Sequence, residues 1–310
     1  MIRAVCLNPV IDRTYHISGF AAGKLYMNNE PTVTVGGKGI NAARVCKKLG
    51  AQVAVYGFIA GLNGQFALKA ARTFADETYL YEVPGETRMT INIIDSGMQH
   101  ETEILEKGPS VGEGDTEKLL RGLAGSIRPG DVVICSGLSI PGAPQDIYVH
   151  ISALCDQAGA KCLLDTRGID LKHALAGHYH MIKPNRQELE ELINEGQFDD
   201  LNSLCIRARE KLLDHTDYLL VSLGAQGSVL LSPSVFYRAS VPAVPVVSTI
   251  GSGDSTVGGF ATALSQGKPV LDAFRLAMAC GVSNSMNRHV ADVQTDQVAR
   301  LLPQIQITSM

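Results

Sequence analysis

Short apolar runs without polar interruptions recur along the chain, and most of them are separated by stretches with the apolar spacing of a helix. Such runs are typical of strands in a parallel sheet, because helices cover both faces of that sheet. The pattern predicts an α/β fold, a three-layer α/β/α sandwich around a mostly parallel sheet. The predicted strands are residues 2–7, 52–59, 131–136, 161–165, 180–183 and 218–222.

Two regions, residues 12–35 and 87–105, break this alternation. The first contains two extended-looking pieces, and the second reads as a hairpin around a turn at residues 95–97. These pieces could pair as a small β-sheet outside the main one, and two ordinary surface hairpins are the alternative. No Pro/Ser-rich linker or clear repeat divides the chain. We therefore expect a single domain over residues 1–310, with these strands inserted into it.

Composition limits the classes of partner. The net charge of −4 at pH 7 argues against general affinity for nucleic acids or membrane surfaces. The seven cysteines include no Cys-x-x-Cys pair, and Cys6, Cys135 and Cys162 lie inside predicted strands. There is no signal peptide and no apolar run of membrane length. We therefore expect a cytoplasmic protein with reduced thiols and no nucleic-acid or membrane partner.

A loop of small residues, Gly251, Ser252 and Gly253, is followed directly by Asp254. Apolar residues then recur with helical spacing, so the loop precedes a helix N-terminus. Backbone N–H groups there can bind an anion, and the carboxylate can take a proton from an attacking hydroxyl. An anion site beside a base suits phosphoryl transfer to an alcohol. An ordinary tight turn with an aspartate cap is the alternative.

A second glycine-rich helix start lies at Gly36, Gly37 and Lys38, with Asn41 one turn later. It is not a P-loop, because no Ser or Thr follows the Gly-Lys pair and the earlier glycine is misplaced. Asn offers a donor and an acceptor to hydroxyl groups, and Lys offers charge to a phosphate. The segment therefore indicates a hydroxyl-rich ligand that approaches the backbone closely.

These motifs belong to a set of five segments that span nearly the whole chain. The segments are residues 7–12 (Leu-Asn-Pro-Val-Ile-Asp), 36–50, 183–189 (Lys-Pro-Asn-Arg-Gln-Glu-Leu), 221–227 and 249–260. In content and order they resemble the PfkB-type carbohydrate kinases, which have the ribokinase-like fold. The resemblance implies a β-sheet lid over the sugar site, which would exclude water from phosphoryl transfer.

Different segments of the chain resemble different branches of this family. Residues 85–88 and 103–109 look most like tagatose-6-phosphate kinases, whereas residues 8–9 and 248–251 also resemble 1-phosphofructokinases. The resemblance implies an enzyme that phosphorylates a ketohexose phosphate to the bisphosphate, with ATP and Mg²⁺ as cofactors and Asp254 as the base. A non-catalytic sensor of sugar phosphate or nucleotide on the same fold, or a kinase for another sugar, are the alternatives.

The resemblance also assigns the sugar site. It implies that Asp12 and Asn41 orient the sugar, with Gly36 and Gly37 against it. A solvated turn aspartate is the alternative for Asp12.

Arg88 is the candidate for the phosphate already on the substrate, because a guanidinium binds phosphate through two parallel hydrogen bonds. Lys38 and Lys107 could add charge, and a solvated surface arginine is the alternative for Arg88. A homodimer through the lid is an assembly that this architecture allows.

Asn185 and Glu188 follow the strand predicted at 180–183, three residues apart on one helical face. The resemblance makes them the element that organises Mg²⁺ and phosphate, and oxygen ligands suit that ion. A helix cap, with Asn185 at the N-cap and Glu188 three residues on, is the alternative, and both can hold together. The resemblance assigns Ser222, Gly224 and Gly227 to ATP, whereas chemistry alone allows a plain hairpin turn.

Two segments depart from the family pattern. Ser248 replaces an acidic or amide residue that is common before the anion loop. Residues 136–142 (Ser-Gly-Leu-Ser-Ile-Pro-Gly) alter a segment that approaches substrate in the family. Because Asp254 and its loop are intact, we expect a change of sugar preference here and not a loss of catalysis.

Overall fold

A computed structural model describes residues 1–27, 30–95, 97, 100–194, 198 and 200–310. The predicted turn at residues 95–97 includes Ser96, which lies outside the described residues. The strands are β1 (Ile2–Cys6), β2 (Val10–His16), β3 (Thr32–Gly36), β4 (Val53–Ile59), β5 (Glu77–Glu82), β6 (Met89–Asp95), β7 (His100–Leu105), β8 (Val132–Ser136), β9 (Lys161–Asp165), β10 (Tyr179–Ile182), β11 (Thr216–Ser222), β12 (Ser228–Leu231), β13 (Phe236–Ser240) and β14 (Gln306–Ser309).

The α-helices occupy the longer connections between these strands. They are α1 (Lys38–Lys48), α2 (Gly61–Ala71), α3 (Glu113–Ser126), α4 (Ile147–Ala158), α5 (Gly168–Ala174), α6 (Arg186–Ile193), α7 (Leu201–Leu212), α8 (Ser252–Ser265), α9 (Val270–Ser285) and α10 (Thr295–Leu301). No helix within the described ranges has the length and apolar character needed to cross a membrane.

The main sheet has ten strands in the order β14-β13-β12-β11-β10-β9-β8-β1-β4-β5. The strands from β11 to β5 in this order pair in parallel, and β12, β13 and β14 extend the sheet in antiparallel fashion. All six predicted strands are present in the parallel part, with ends that differ by no more than two residues. The sequence prediction missed β5 and the two outermost antiparallel strands, β13 and β14.

Helices cover both faces of this sheet, so the predicted three-layer sandwich is confirmed. Alternate strand residues enter two separate apolar cores: Ala4 lies in one and Val5 in the other. The first core also contains residues of α1, α8 and α9, such as Phe260. The second contains residues of α3, α4, α6 and α7, such as Leu189.

The smaller sheet lies apart from the main one, in the order β3-β2-β6-β7. It joins strands from both regions that interrupt the alternation, as the split strand pattern predicts. Residues directly opposite each other share a face. One face of this lid carries Asp12, opposite Thr34 and Thr90. The other carries Arg13, opposite Val33 and Ile91.

Candidate active site

Charged side chains gather where the parallel strands β9 and β10 end. Asp165 is the last residue of β9, and Lys183 follows β10 directly. Lys38 opens α1. Carboxyl ends of parallel strands meet at one edge of a sheet, where open α/β folds bind their ligands. Lys38 and Lys183 both reach Asp165 there, with Nζ atoms 3.2 and 3.4 Å from its Oδ1.

Asp165 is a fully buried carboxylate that both lysines keep ionised. Burial alone would raise its pKa, but the charges of Lys183 and Lys38 outweigh burial and hold the pKa of Asp165 below its usual value. The hydroxyl of Ser136 lies 3.3 Å from its Oδ2 and donates a further hydrogen bond. The result is two ammonium groups fixed at the edge of the sheet.

Asp254 lies beside this ion-pair group, in the first turn of α8. Its Oδ2 accepts a hydrogen bond of 2.8 Å from Nδ2 of Asn41. Burial, and then the like charge of Asp165, raise the pKa of Asp254 to about 6, while Lys38, Asn41 and Lys183 act in the opposite direction. Asp254 is therefore a carboxyl group that can accept and release a proton near neutral pH.

The predicted loop is shorter than expected, because α8 already begins at Ser252 and Gly251 is its N-cap. Gly251 has φ 79°, in the left-handed region, and a Cβ there would lie 2.6 Å from Cγ1 of Val290. The N–H of Ser252 donates to the carbonyl of Thr249 at 3.1 Å, so that amide is already used. Within the part of the chain that the structure describes, the other two predicted anion-binding amides, those of Gly251 and Gly253, donate to no protein acceptor.

Two side chains outside the predicted motif lie against this loop. Nδ2 of Asn284 donates to the carbonyl of Ile250 at 2.8 Å and lies 3.0 Å from Oγ of Ser252. The ammonium of Lys183 lies 3.3 Å from the place that a Cβ on Gly253 would occupy. A cation therefore lies next to a helix N-terminus, and both attract anions.

The predicted sugar-binding residues of the lid form a second group. Gly36 ends β3 across from β2, and a Cβ on it would collide with the carboxylate of Asp12. Gly37 then serves as the N-cap of α1. Burial raises the pKa of Asp12 to about 6, against the charge of Arg88 and a hydrogen bond with Thr90, which both lower it.

Arg88 lies just before β6, where it is half-buried near Asp12. Its Nε donates to the carbonyl of Asn8 at 3.3 Å. Burial raises the pKa of the Cys6 thiol, on which the charges of Arg88 and Asp254 also act. Cys6 therefore lies within electrostatic reach of both Arg88 and Asp254.

Asn185 and Glu188 form the reciprocal cap that the sequence allows. Oδ1 of Asn185 accepts from the Glu188 N–H at 2.8 Å, and Oε2 of Glu188 accepts from the Asn185 N–H at 2.9 Å. The charge of Glu188 also raises the pKa of Lys38, after the larger effect of Asp165. A cavity of about 370 Å³ adjoins the pair, lined in part by Leu138, Arg167 and Glu191.

The predicted ATP residues lie beside this cap. Ser222 ends β11 and forms a parallel bridge with Asn185. Gly224 and Gly227 belong to the turn that joins β11 to the antiparallel β12, so the plain hairpin of the sequence alternative is present. Residues 136–142 also border the site, since a Cβ on Gly137 would lie 3.8 Å from Cβ of Lys38.

Sequence reasoning missed Asp165, Lys183 and Asn284. A signal for the first two exists, because each is a charged residue at the end of an apolar strand pattern. Their pairing depends on strand order, which the pattern alone does not give. Asn284 carries no such signal, since it lies inside the long apolar helix α9.

Proteins of known sequence and structure share this architecture along their whole length. The profile of the pfkB family carbohydrate kinases matches residues 5–286. The chain belongs to the PfkB family. A tagatose-6-phosphate kinase of Staphylococcus epidermidis is 31% identical over 309 residues, which cover 99% of both chains. The predicted family is therefore confirmed, and the protein is a sugar phosphotransferase of a family that uses ATP.

Two solved structures share this fold. A Staphylococcus aureus protein provisionally named a phosphofructokinase is 30% identical, with a TM-score of 0.85 over 100% of this chain and 99% of its own. Escherichia coli phosphofructokinase-2 in complex with fructose-6-phosphate is 22% identical, with a TM-score of 0.88 over 98% of each chain. The second likeness supports the ribokinase-like fold.

The burial of Asp254 has a consequence for stability. Its pKa is 3.8 in an ordinary setting and about 6 here. Between these values the folded chain holds a proton that the unfolded chain has released, so stability falls as the pH rises through this window. Asp254→Asn cannot ionise, and we expect it to be more stable than the native chain at about pH 8, by on the order of 1–3 kcal/mol.

Thermal or urea unfolding across pH measures this difference. The gain should shrink as the pH falls below about 6 and vanish near about pH 4. Asp214→Asn, at an exposed position, is the matched control and should show no pH-dependent gain. An Asp254→Asn gain that is the same at every pH would contradict the raised pKa.

Proposed function

We propose that this chain transfers the γ-phosphoryl group of ATP to a phosphorylated ketohexose and forms the bisphosphate. The observation that carries the proposal is the setting of Asp254. It is a buried carboxyl group with a pKa of about 6, at a helix N-terminus and next to two lysines that share Asp165. The relatives supply the substrate class, since one is named a tagatose-6-phosphate kinase and another is a phosphofructokinase bound to fructose-6-phosphate.

In this mechanism Asp254 takes the proton of the attacking sugar hydroxyl. Its Oδ2 is engaged by Asn41, so Oδ1 is the atom left for that proton. The sugar oxygen then attacks the γ-phosphorus in line with the leaving oxygen. Negative charge that develops on the transferred phosphoryl group is stabilised in this proposal by the amides at the start of α8 and by the ammonium groups of Lys38 and Lys183.

The lid residues bind the sugar in this proposal. Asp12 accepts hydrogen bonds from hydroxyl groups, with Gly36 and Gly37 against the ring, and Arg88 binds the phosphate already present. Asn41 was also expected on the sugar. Its amide donates to Asp254 and accepts from Arg44, so we propose that Asn41 also orients Asp254, and its second N–H remains for a sugar hydroxyl.

Asn185, Ser222, Gly224 and Gly227 are the proposed ATP contacts, and Asn185 with Glu188 would hold Mg²⁺. The donor set fits this hard cation, because the cap engages only one oxygen of the Glu188 carboxylate. Among the described residues no three acidic, His or Cys side chains form a ready metal cage, which suits an ion that binds largely through nucleotide phosphates and water. When bound, Mg²⁺ would neutralise charge on those phosphates.

The lid also supports the proposed homodimer. Its face opposite Asp12 carries apolar side chains, among them Val33, Ile91 and Ile104. Val33 is 38% exposed and Ile104 is 55% exposed. Exposed apolar groups on one face of a sheet favour contact with a second copy of the same lid.

A coupled ADP-release assay tests the function directly. Tagatose-6-phosphate, fructose-1-phosphate, fructose-6-phosphate and the unphosphorylated sugars are compared at saturating ATP. We expect turnover with at least one ketohexose phosphate, and Asp254→Asn should lower its kcat by roughly 10²–10⁴-fold with little change in ATP affinity. Binding of these sugars without turnover would favour the non-catalytic sensor, and a mutant with more than about half the native kcat would remove Asp254 as the base.

Glu188 separates a metal role from a cap role. If it organises Mg²⁺, Glu188→Gln should lower activity and raise the Mg²⁺ concentration that gives half the maximal rate. A cap alone predicts lower thermal stability with an unchanged Mg²⁺ dependence. Glu191→Gln is the control, because Glu191 lies on the same helix and lines the same cavity. Mg²⁺ titration at fixed ATP, together with a melting curve for each variant, decides between the two.

Arg88 determines the preference for a phosphorylated substrate in this proposal. A hydrogen bond to a charged group contributes about 1.5–3 kcal/mol, which corresponds to about 10- to 150-fold in affinity. Arg88→Ala should therefore raise KM for the phosphorylated sugar by about that factor and leave KM for ATP nearly unchanged. Arg121→Ala, on the exposed surface of α3, is the control. Unaltered selectivity over the free sugar would transfer the role to Lys38 or Lys107.

A further inference from the structure

Arg44 makes an unusual set of contacts for a residue outside the predicted site. It lies on α1, three residues after Asn41. One nitrogen, Nη2, donates to the carbonyl of Val35 at 2.6 Å, and the other, Nη1, lies 3.4 Å from Oδ1 of Asn41. Its guanidinium carbon is 5.5 Å from the centre of the Phe74 ring. Contacts with β3, with α1 itself and with the turn after α2 therefore hold this side chain in place.

Asn41 has its amide engaged at both ends. Nδ2 donates to Asp254 and Oδ1 faces Arg44. A flipped amide would place its oxygen against the Asp254 carboxylate and its NH₂ group against the guanidinium. Both contacts would then be repulsive, and water cannot replace them because Asn41 is buried. The positive charge of Arg44 therefore selects the amide orientation that gives Asp254 its hydrogen bond.

The same guanidinium also contacts the lid. Val35 belongs to β3, and the next residue, Gly36, packs against the Asp12 carboxylate. The charge of Arg44 also acts on Asp12, where it favours the ionised form. A single side chain thus connects the strand beside the proposed sugar site with the amide that holds the proposed base.

We propose that Arg44 is a positioning residue, which fixes the amide of Asn41 so that it donates to Asp254 and ties that arrangement to lid strand β3. The expected effect of Arg44 on kcat rests on the proposed role of Asp254 as the base. The positioning of the Asn41 amide does not depend on that role. Arg44 contacts neither Asp254 nor the proposed phosphate site in the hydrogen bonds of the described residues. Its effect on the reaction is therefore expected to pass through Asn41.

A double-mutant cycle tests this path. Arg44→Met removes both donors while keeping much of the side-chain volume, and we expect kcat with a ketohexose phosphate to fall about 10- to 100-fold, the loss of one hydrogen bond to a charged group. KM for ATP should stay unchanged. In the Asn41→Ala background, Arg44→Met should have little further effect on kcat. Fully additive losses would overturn the proposal.

A second measurement does not depend on activity. The pH above which the stability gain of Asp254→Asn over its parent chain stops growing reports the pKa of Asp254 in the folded chain. Without the Asn41 donor that ionisation is harder, so in the Arg44→Met background this pH should rise by about one unit or more. An unchanged pH would overturn the positioning role even if Asp254 is the base. A raised pH together with unaffected catalysis would support the role and contradict the base assignment.

Two further variants serve as controls for the loss of charge on α1 and for misfolding. Arg44→Lys keeps the charge but has a single nitrogen, so we expect it to lie between the native chain and Arg44→Met in both measurements. It also serves if Arg44→Met does not fold. Lys48→Met removes another cation of α1, whose partner is Asp292 on the surface. It should change neither kcat nor the ionisation of Asp254, and an effect equal to that of Arg44→Met would show a general loss of helix charge instead.

Discussion

The close contact between α1 and α8 is the constraint on which the site depends. A Cβ on Gly258 would lie 2.8 Å from Cβ of Val45 and 2.9 Å from the carbonyl of Ala42, closer than packed atoms normally approach. The bare backbone at this position lets the two helices touch. Since Asn41 and Asp254 lie on the same two helices, this contact also sets the distance over which their hydrogen bond forms.

Burial gives the site its chemistry and also makes it costly to form. Two carboxylates and two ammonium groups lie at one edge of the sheet, and ions removed from water are tolerated only when they are paired. Asp165 takes both lysines, which leaves Asp254 with an amide partner and an easily gained proton. Because Asp165 pairs with both lysines, it stays ionised, whereas Asp254 can gain and lose a proton.

The sequence predicts the parallel sheet, both glycine-rich helix starts and the strands of the lid, because each depends on local spacing of residues. It does not predict β5, whose residues are half-buried and mix glutamate with tyrosine, so that no apolar run marks it. Asp165 and Lys183 are visible as charged strand ends, but their contact follows from the order of strands in space. The three-residue spacing of Asn185 and Glu188 fits a helix cap and a metal site equally well. The cap follows from helix geometry alone, whereas a site for Mg²⁺ also depends on ligands from nucleotide phosphates and water.

The hydrogen bond between Asn41 and Asp254 joins residues 213 positions apart. Contacts of such long range form late, because most of the intervening chain must first be in place. A growing chain on the ribosome therefore contains β1, the strands of the small sheet and α1 well before Asp254 is added. Partly made chains contain Asn41 and Arg44 but lack the carboxylate that Asn41 binds, so this part of the site is assembled only when the fold is nearly finished.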